Sequence, residues 1–316
     1  MKQFLIKTAV FAAIVVLVDY IAGLALDVIQ HKGFEKNPLR FEVRAMNAIE
    51  KASSELDIIG ASDVSHNYVS SIITDSIGLA TYNYGKDGCF FVWQNCLINL
   101  MLDRHTPRVL LWEIGKDCLS TNSNKKITDW QKINDFYPYY RKSEYCRLII
   151  SNRGKYQKLY MLSGLYRHNS DLLTIIEPFI ISESIDPSLR GYIPLPNNGY
   201  IYPTFNDKPI EYDMVDSWKA ELLNNTLDVC NEKGIKVFFC FSPKYRNEHI
   251  ENTNQWKELR RIAAKHNVPF IDFENCDVFM KDSSLFKDNV HLNDKGARLY
   301  MELFIPELKS IIQAKE

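Results

Sequence analysis

The sequence predicts an α/β protein with a mostly parallel sheet, preceded by a transmembrane helix at the amino terminus. From Glu55 onward, short apolar segments alternate with segments of helical periodicity, as in a parallel sheet covered by helices. A long apolar segment follows two amino-terminal lysines. The composition, with 46% hydrophobic and 24% charged residues, is that of an ordinary globular protein. Disordered, collagen-like and coiled-coil chains are therefore excluded.

Size, charge and cysteine content narrow the class further. The 316 residues suit two domains, or one α/β domain with a long insertion, at about 150 residues per domain. The 38 Lys and Arg balance the 39 Asp and Glu, and there is no long basic run, so we expect no nucleic-acid partner. The seven cysteines are too few for a disulfide framework and form no CxxC pair. Cys89, Cys118, Cys230 and Cys240 lie in or beside apolar runs, which predicts small buried side chains.

The apolar amino-terminal segment, Thr8 to Leu26, approaches the roughly 20 residues that cross a bilayer as a helix. We expect a signal anchor over 1–29 and a connecting segment over 30–54. A cleaved signal peptide, with Gly23-Leu24-Ala25 as its cleavage site, is one alternative. A buried helix of a soluble protein is the other.

The positive charges that flank this segment bear on its orientation. Lys2 and Lys7 favour a cytoplasmic amino terminus, whereas Lys32, Lys36 and Arg40 favour the opposite. The positive-inside rule thus gives moderate support to an outward orientation. We expect a membrane-anchored protein whose remaining chain is extracytoplasmic, in the periplasm or at the cell surface.

The order of the predicted elements fits one α/β domain over 55–316. Apolar segments predict strands at 56–60, 108–114, 236–241 and 268–273, with a short candidate at 80–84. Helical periodicity covers 64–77, 90–103, 217–233, 252–266 and 294–312.

An insertion at about 118–217 interrupts this alternation. It is rich in tyrosine and contains a Pro-, Gly- and Asn-rich run over 191–199. One interpretation is a set of helices packed on the sheet edge, with an ordered loop. The other is a cap over the strand ends that shapes a substrate groove, because long insertions in compact domains tend to be functional.

Two motifs carry the residue types that serine chemistry needs. The first strand ends in Gly60-Ala61-Ser62-Asp63, where a serine faces the ligand crevice, although a helix cap is the simpler role for this motif alone. Near the end of the chain, Asp288 and His291 form a D-x-x-H pair. A hydroxyl becomes a good nucleophile when an imidazole takes its proton and a carboxylate orients that imidazole. The alternative for His291 is a surface or metal-binding histidine, but no second His or Cys lies at ligand spacing nearby.

Gly60-Ala61-Ser62-Asp63, Asn83-Tyr84-Gly85-Lys86-Asp87-Gly88 and Asp288-x-x-His291 follow one another in that order. This order resembles the SGNH, or GDSL-type, hydrolase superfamily over roughly 55–117 and 235–312. The resemblance implies a three-layer, flavodoxin-like α/β fold, into which the insertion at 118–217 would add a helical or loop cap.

The same resemblance implies roles for individual residues. Ser62 would be the nucleophile, His291 the general base and Asp288 its partner. The backbone N–H groups of Ser62 and Gly85 would be oxyanion-hole donors. No metal and no cofactor is implied, because this chemistry needs only the triad and an oxyanion hole.

Two positions depart from the family pattern. Ala61 replaces an aspartate, which leaves the chemistry intact. In the third motif, Gly115-Lys116-Asp117-Cys118, Asp117 occupies the position of the family's asparagine. A carboxylate repels a developing oxyanion, and loss of one donor typically costs about 10²–10³ in rate. Lys116 is a candidate source of compensating positive charge.

A membrane anchor fused to such a domain also resembles bacterial extracytoplasmic proteins that move acyl groups on surface polymers. This implies a serine esterase or O-acyltransferase acting on an acylated glycan or another ester, with a membrane-bound acyl-donor protein as a further partner. The alternatives are a catalytically impaired glycan-binding or scaffold domain, and a chance coincidence of motifs. A glycosidase fits poorly, because no carboxylate pair flanks an obvious sugar-cleaving site.

Overall fold

The computed structural model describes most of the chain, with the ranges 1–121, 129–169, 171–181, 186–199, 214–245 and 252–313. The chain divides into two compact units. The first combines Met1–Asn47 with Lys132–Ile185, and the second combines Ala48–Gln131 with Asp186–Glu316.

The α-helices of these ranges are numbered in chain order. They are α1 (Lys2–Lys36), α2 (Arg44–Lys51), α3 (Ser62–Asn67), α4 (Ser70–Ile77), α5 (Phe91–Leu102), α6 (Glu144–Ser151), α7 (Gln157–Tyr160), α8 (Gly164–His168), α9 (Leu172–Ile180), α10 (Ser217–Glu232), α11 (Asn254–Lys265), α12 (Asp277–Met280) and α13 (Asp294–Gln313). Short 3-10 helices lie at Ile133–Tyr139, Pro187–Leu189 and Ser283–Leu285.

A five-stranded parallel sheet forms the centre of the second unit. Its strands are β1 (Leu56–Ile59), β2 (Thr81–Asn83), β3 (Val109–Trp112), β4 (Lys236–Phe241) and β5 (Phe270–Asp272). Their spatial order is β2-β1-β3-β4-β5, and every neighbouring pair is parallel. The predicted α/β class with a parallel sheet is therefore confirmed, and the short segment near 80–84 is one of the strands.

Helices cover both faces of this sheet. On one face, Ile58 and Leu111 belong to an apolar cluster. The cluster also contains Val64 of α3, Tyr68 of the turn after α3, and Tyr300 of α13. The opposite face carries aromatic contacts with α5 and α11. Trp112 stacks on Phe91, with ring centroids 6.1 Å apart, and Phe241 meets Trp256 edge to face at 5.6 Å. The helices cover the two faces of the sheet, and the residues that follow the central strands, such as Ser62 after β1 and Glu113 after β3, lie at its carboxyl edge.

The helix predicted over 64–77 is divided into α3 and α4. Tyr68 and Val69 between them have extended backbone, with ψ of 108° and 93°. The side-chain amide of Asn83 donates to the carbonyl oxygens of Val64 and Tyr68, at 2.6 and 3.1 Å, and so satisfies groups that a continuous helix would pair internally. A distant asparagine thus stabilises a break that local periodicity does not predict.

The first unit joins the amino-terminal helix to the helical part of the insertion. Helix α1 is long and apolar enough to cross a membrane, as a membrane anchor or a signal sequence would be. It continues past residue 29, the predicted end of the anchor, to Lys36. Helices α8 and α9 pack against it. Lys132–Ile185 of the insertion thus form one compact unit with α1, and the two interpretations of the insertion stay predictions.

All seven cysteines are free thiols. Cys89, Cys118, Cys230 and Cys240 are buried, which confirms their predicted placement in apolar surroundings. Burial raises the pKa of the Cys230 thiol to about 12, so this side chain is a neutral thiol at physiological pH.

Candidate active site

Ser62, His291 and Asp288 form one hydrogen-bonded chain in the second unit. Ser62 is the first residue of α3 and follows β1 closely, and the other two residues precede α13. Oγ of Ser62 lies 2.7 Å from Nε2 of His291. Nδ1 of His291 lies 2.8 Å from Oδ2 and 3.0 Å from Oδ1 of Asp288. A neutral imidazole that donates from Nδ1 to Asp288 leaves Nε2 to accept the Ser62 proton.

Backbone hydrogen bonds fix the Asp288 carboxylate before it meets the imidazole. Its Oδ1 accepts the N–H groups of Val290 and His291, both at 2.9 Å, in a tight turn that an aspartate favours. Partial burial opposes ionisation, but these bonds and the imidazole outweigh it and lower the pKa of Asp288 to about 2. The carboxylate is therefore ionised throughout the physiological pH range.

Opposing effects act on the pKa of the His291 imidazole. Burial disfavours its charged form, but the hydrogen bond with Asp288 and the nearby carboxylate of Asp63 outweigh this, so the pKa of His291 is raised above its ordinary 6.5. The Asp63 oxygen lies 3.9 Å from Nε2. A raised pKa makes the imidazole a stronger base, which suits removal of a proton from a serine hydroxyl.

A second histidine supports the first. The ring of His66 meets that of His291 edge to face, with centroids 5.6 Å apart. Nδ1 of His66 lies 2.8 Å from the carbonyl oxygen of Ile193, and Nε2 lies 3.4 Å from a carboxylate oxygen of Asp87. These contacts hold the ring of His66 in place, so that it limits rotation of His291. The sequence motifs did not single out His66.

Asn67 ties the loop of His291 to the sheet. It is fully buried at the end of α3. Its Oδ1 accepts the N–H of Leu292 at 3.0 Å, and its Nδ2 donates to Oγ of Ser242 at 2.9 Å. The residue after the histidine is thereby fixed to the helix that begins with Ser62. No local pattern in the sequence marks this asparagine.

A cavity of about 300 Å³ opens beside Ser62. Its lining combines Ser62 with several carboxyl groups and one lysine, namely Asp63, Glu113, Asp117, Asp129, Glu274 and Lys244. Asp129 is paired with buried Lys219, and Glu274 with Lys244 and Lys116. The cavity can admit a small acyl group or part of a sugar next to the Ser62 hydroxyl.

Glu113 is an unexpected member of this lining. It follows β3 directly and is 7% exposed. Oε1 accepts the N–H and the hydroxyl of Ser242, at 3.1 and 2.7 Å, and the hydroxyl of Tyr68 interacts with the same carboxyl group. Burial, and then the charge of Asp63, raise the pKa of Glu113 to about 8. At neutral pH Glu113 is largely a neutral acid, whose carboxyl O–H can donate a hydrogen bond.

The sequence did contain a signal for Glu113. It is an acidic residue within the apolar segment 108–114, which was interpreted as a strand. Carboxyl groups are almost never fully buried without a partner or a function.

The third-motif residues divide between two environments. Asp117, at the position where the resemblance to SGNH hydrolases leads us to expect an asparagine, lines the cavity together with Ser62. The ammonium of Lys116 lies 2.8 Å from Asp272 and 2.6 Å from Glu274, and 5.2 Å from the ring centre of Phe241. The charge of Lys116, the candidate source of compensating positive charge, is therefore already paired with two carboxylates.

The two expected oxyanion-hole donors also differ. The N–H of Ser62 makes no hydrogen bond in the part of the chain that the structure describes, as is usual in the first turn of a helix. The N–H of Gly85 donates to Oδ1 of Asn83 at 2.9 Å. A Cβ on Gly85 would lie 2.5 Å from the backbone nitrogen of Ser65, so the close approach of this loop to α3 requires glycine. Gly85 is thus engaged within its own loop and is not a ready donor in this structure.

The site contains organic acids, bases and a hydroxyl, and no group of three metal-ligating side chains occurs among the residues described. Comparison with known proteins gives no relative from which a role could be transferred, because neither a protein-family model nor a curated protein matches this chain.

Proposed function

We propose that this protein is a serine-dependent acyl-transfer enzyme with an SGNH-type fold. It would hydrolyse an ester, or transfer its acyl group to another hydroxyl, through an acyl-enzyme at Ser62. The observation that carries the proposal is the chain of hydrogen bonds from Ser62 through His291 to Asp288. The strand order β2-β1-β3-β4-β5, which is that of flavodoxin-like sheets, is consistent with such a fold.

The geometry supports a two-step reaction. Oγ of Ser62 attacks the ester carbonyl carbon while its proton passes to Nε2 of His291. The resulting tetrahedral intermediate releases the alcohol, which takes the proton from His291, and leaves the acyl group on Ser62. Water or a sugar hydroxyl then attacks this acyl-enzyme and gives its proton to His291, and the second tetrahedral intermediate releases the acyl product from Oγ of Ser62, which takes the proton back from His291. Asp288 stabilises the imidazolium that forms in each step.

The developing oxyanion needs donors that the family pattern only partly supplies. The N–H of Ser62 is available. Glu113, as a neutral acid that lines the cavity, can provide an O–H where the SGNH pattern has an asparagine amide. A carboxylic acid kept neutral by its surroundings is an effective hydrogen-bond donor to an oxyanion.

The substrate we propose is an ester on an extracytoplasmic glycan. Helix α1, which is long and apolar enough to cross a membrane, supports a location at a membrane. The size of the cavity supports a short acyl group on a larger molecule. A membrane protein that donates acyl groups is the partner that a transferase would require, and the chemistry calls for neither nucleic acid nor a cofactor.

A second function is favoured by two specific observations. Asp117 places a carboxyl group in the cavity, and the N–H of Gly85 is engaged by Asn83. Both features weaken an oxyanion hole. A catalytically impaired domain that binds a glycan or serves as a scaffold would keep the cavity and lose the turnover.

Reaction with a fluorophosphonate probe separates the two functions. Such a probe phosphonylates an activated serine, which displaces fluoride, and it needs no knowledge of the natural ester. With the full chain in detergent, we expect labelling of Ser62, none in Ser62→Ala, and full labelling in Ser71→Ala, whose serine lies half-exposed on α4. Absence of labelling in the unaltered chain would favour the binding function, and labelling that survives Ser62→Ala would contradict the proposed nucleophile.

A further inference from the structure

We propose that helices α7–α9 of the insertion lie in the lipid bilayer beside α1, so that the first unit is a membrane-embedded body and not a single anchoring helix.

Exposed apolar side chains carry this inference. Leu173 is 85% exposed and Ile180 75%, and they are accompanied by Leu159, Leu162, Ile176 and Ile181 among others. Among the described residues of the second unit, by contrast, the large apolar side chains that are exposed are Met214 and Val278. Scattered apolar residues are normal on a soluble surface, but a concentration within 156–181 marks an interaction surface.

Apart from exposed Lys158, the charged side chains of the same segment and His168 have polar partners within the unit. Arg167 and His168 are buried and bind Asp27 of α1, at 3.1 and 2.9 Å. Glu177 pairs with Arg40 at 2.5 Å. Asp171 accepts the side-chain amide of Asn134 at 2.6 Å. Pairing of this kind is needed where water cannot solvate charges.

The depth of the segment follows from Asp19, an acidic residue inside the apolar part of α1. Its carboxylate accepts the hydroxyl of Ser163 at 2.6 Å and the N–H groups of Gly164 and Leu165 at 2.7 and 3.2 Å. It lies about 10 Å from the Leu26 end of the apolar segment, at about 1.5 Å per residue. If α1 spans the bilayer, residues 163–165 therefore lie about 10 Å inside its apolar boundary.

Close packing fixes this arrangement. A Cβ on Gly23 would lie 2.5 Å from Cα of Gly164, so the two backbones meet as helices do in membranes through small residues. The donors that begin α8 are satisfied by Asp19, as lipid surroundings demand. A peptide cleaved after Ala25 would remove that partner, which supports retention of α1.

Lipid is the occupant that fits the whole surface. Helices α8 and α9 pack against α1, whose own apolar side chains, such as Val16 at 68%, are exposed, and the exposed apolar side chains of α7 precede them in the same segment. Lipid acyl chains can cover the apolar side chains of α1 and those of α7–α9 together. Exposed Lys158 of α7 can extend its ammonium toward water on its long apolar stem.

Spin-label accessibility tests the proposal on the full chain in lipid vesicles. Cys276→Ser removes the single cysteine that is not buried. Nitroxides are then placed by Leu173→Cys or Ile180→Cys, with Val16→Cys as the lipid control and Lys281→Cys, whose side chain is 74% exposed in the second unit, as the aqueous control. We expect collisions with oxygen to be several-fold more frequent than with a water-soluble nickel chelate at 173, 180 and 16, and the reverse at 281.

Two results would overturn the proposal. Labels at 173 and 180 that meet the nickel chelate as often as the label at 281 would place this face in water. Labels shielded from both reagents would indicate a protein partner or a second copy. A phospholipid with a photoreactive acyl chain provides a second readout on the unaltered chain, and cross-links confined to α1 would likewise refute the proposal.

Discussion

Oγ of Ser62 lies 2.7 Å from Nε2 of His291, although 229 positions separate the two residues in the chain. The parallel sheet explains this proximity, because Ser62 follows β1 and the loop of His291 reaches the same edge before α13. Asn67, near the end of α3, then fixes the loop through the N–H of Leu292. The site therefore depends on the helix that carries the serine as much as on the loop that carries the histidine.

Asp288→Asn should impair the chain of hydrogen bonds without disturbing the fold. The amide can donate to Nδ1 and so favour the wrong tautomer of His291, leaving Nε2 protonated. We expect kcat for ester turnover to fall by about 10⁴, with a smaller change in KM. Steady-state kinetics measures both constants. A loss of less than about tenfold would mean that Asp288 does not orient the base.

Asn67→Ala should test whether Asn67 positions the loop that carries His291. Two buried partners, Ser242 and the N–H of Leu292, lose their hydrogen bonds, so the free energy of unfolding should fall by about 1–3 kcal/mol. The loop of His291 should also loosen and lower kcat. Asn99→Ala is the control, because Asn99 donates to Thr226 at 2.8 Å in the helices on the opposite face. Equal kcat values in the two variants would contradict the positioning role.

The pH dependence of acylation should have two limbs. Activity needs a neutral His291, whose pKa is raised, so the rate should rise with pH through a midpoint above 6.5. Activity also gains from a protonated Glu113, whose pKa is raised to about 8, so the rate should fall as pH increases beyond that value.

Glu113→Gln isolates the second limb of the profile. The glutamine amide can still donate a hydrogen bond into the cavity but does not titrate. We expect the fall above about pH 8 to disappear while the acidic limb remains, in initial rates measured across the pH range. An unchanged alkaline limb in Glu113→Gln would exclude Glu113 as the group that titrates there.

Asp117→Asn should raise the activity. The substitution removes a carboxyl group from the cavity beside Ser62 and introduces the amide that the proposed SGNH-type site would have there. Because one oxyanion donor is worth about 10²–10³ in rate, we expect acylation to become at least about tenfold faster. Asp117→Ala removes the charge without adding a donor and should give a smaller gain. If Asp117→Asn is slower than the unaltered chain, the carboxyl group assists the reaction.

The parts of the fold that follow local patterns were predictable. Apolar segments marked the five strands, and the helices near 217–233 and 294–312 were recognised from periodicity. Ser62, Asp288 and His291 were found because short motifs place them at strand ends and before a helix. Their contact follows from the topology of a parallel sheet.

Contacts between distant segments were not predictable. Asn83 divides a predicted helix through two carbonyl groups more than ten residues away. Asp19 and Ser163, separated by 144 positions, join the amino-terminal helix to the insertion. Asn67 and Glu113 derive their roles from burial beside partners in other elements, which one sequence without a three-dimensional frame does not reveal.

The most direct test of the central claim is burst kinetics with p-nitrophenyl acetate, followed by peptide mapping of the trapped protein. The full chain is needed, because α1 packs against helices of the insertion. We expect a burst of p-nitrophenol of about one equivalent per site, with an acetyl group on Ser62, and neither in Ser62→Ala. A burst of equal size in Ser62→Ala, or an acetyl group on another residue, would contradict the assignment of Ser62 as the nucleophile.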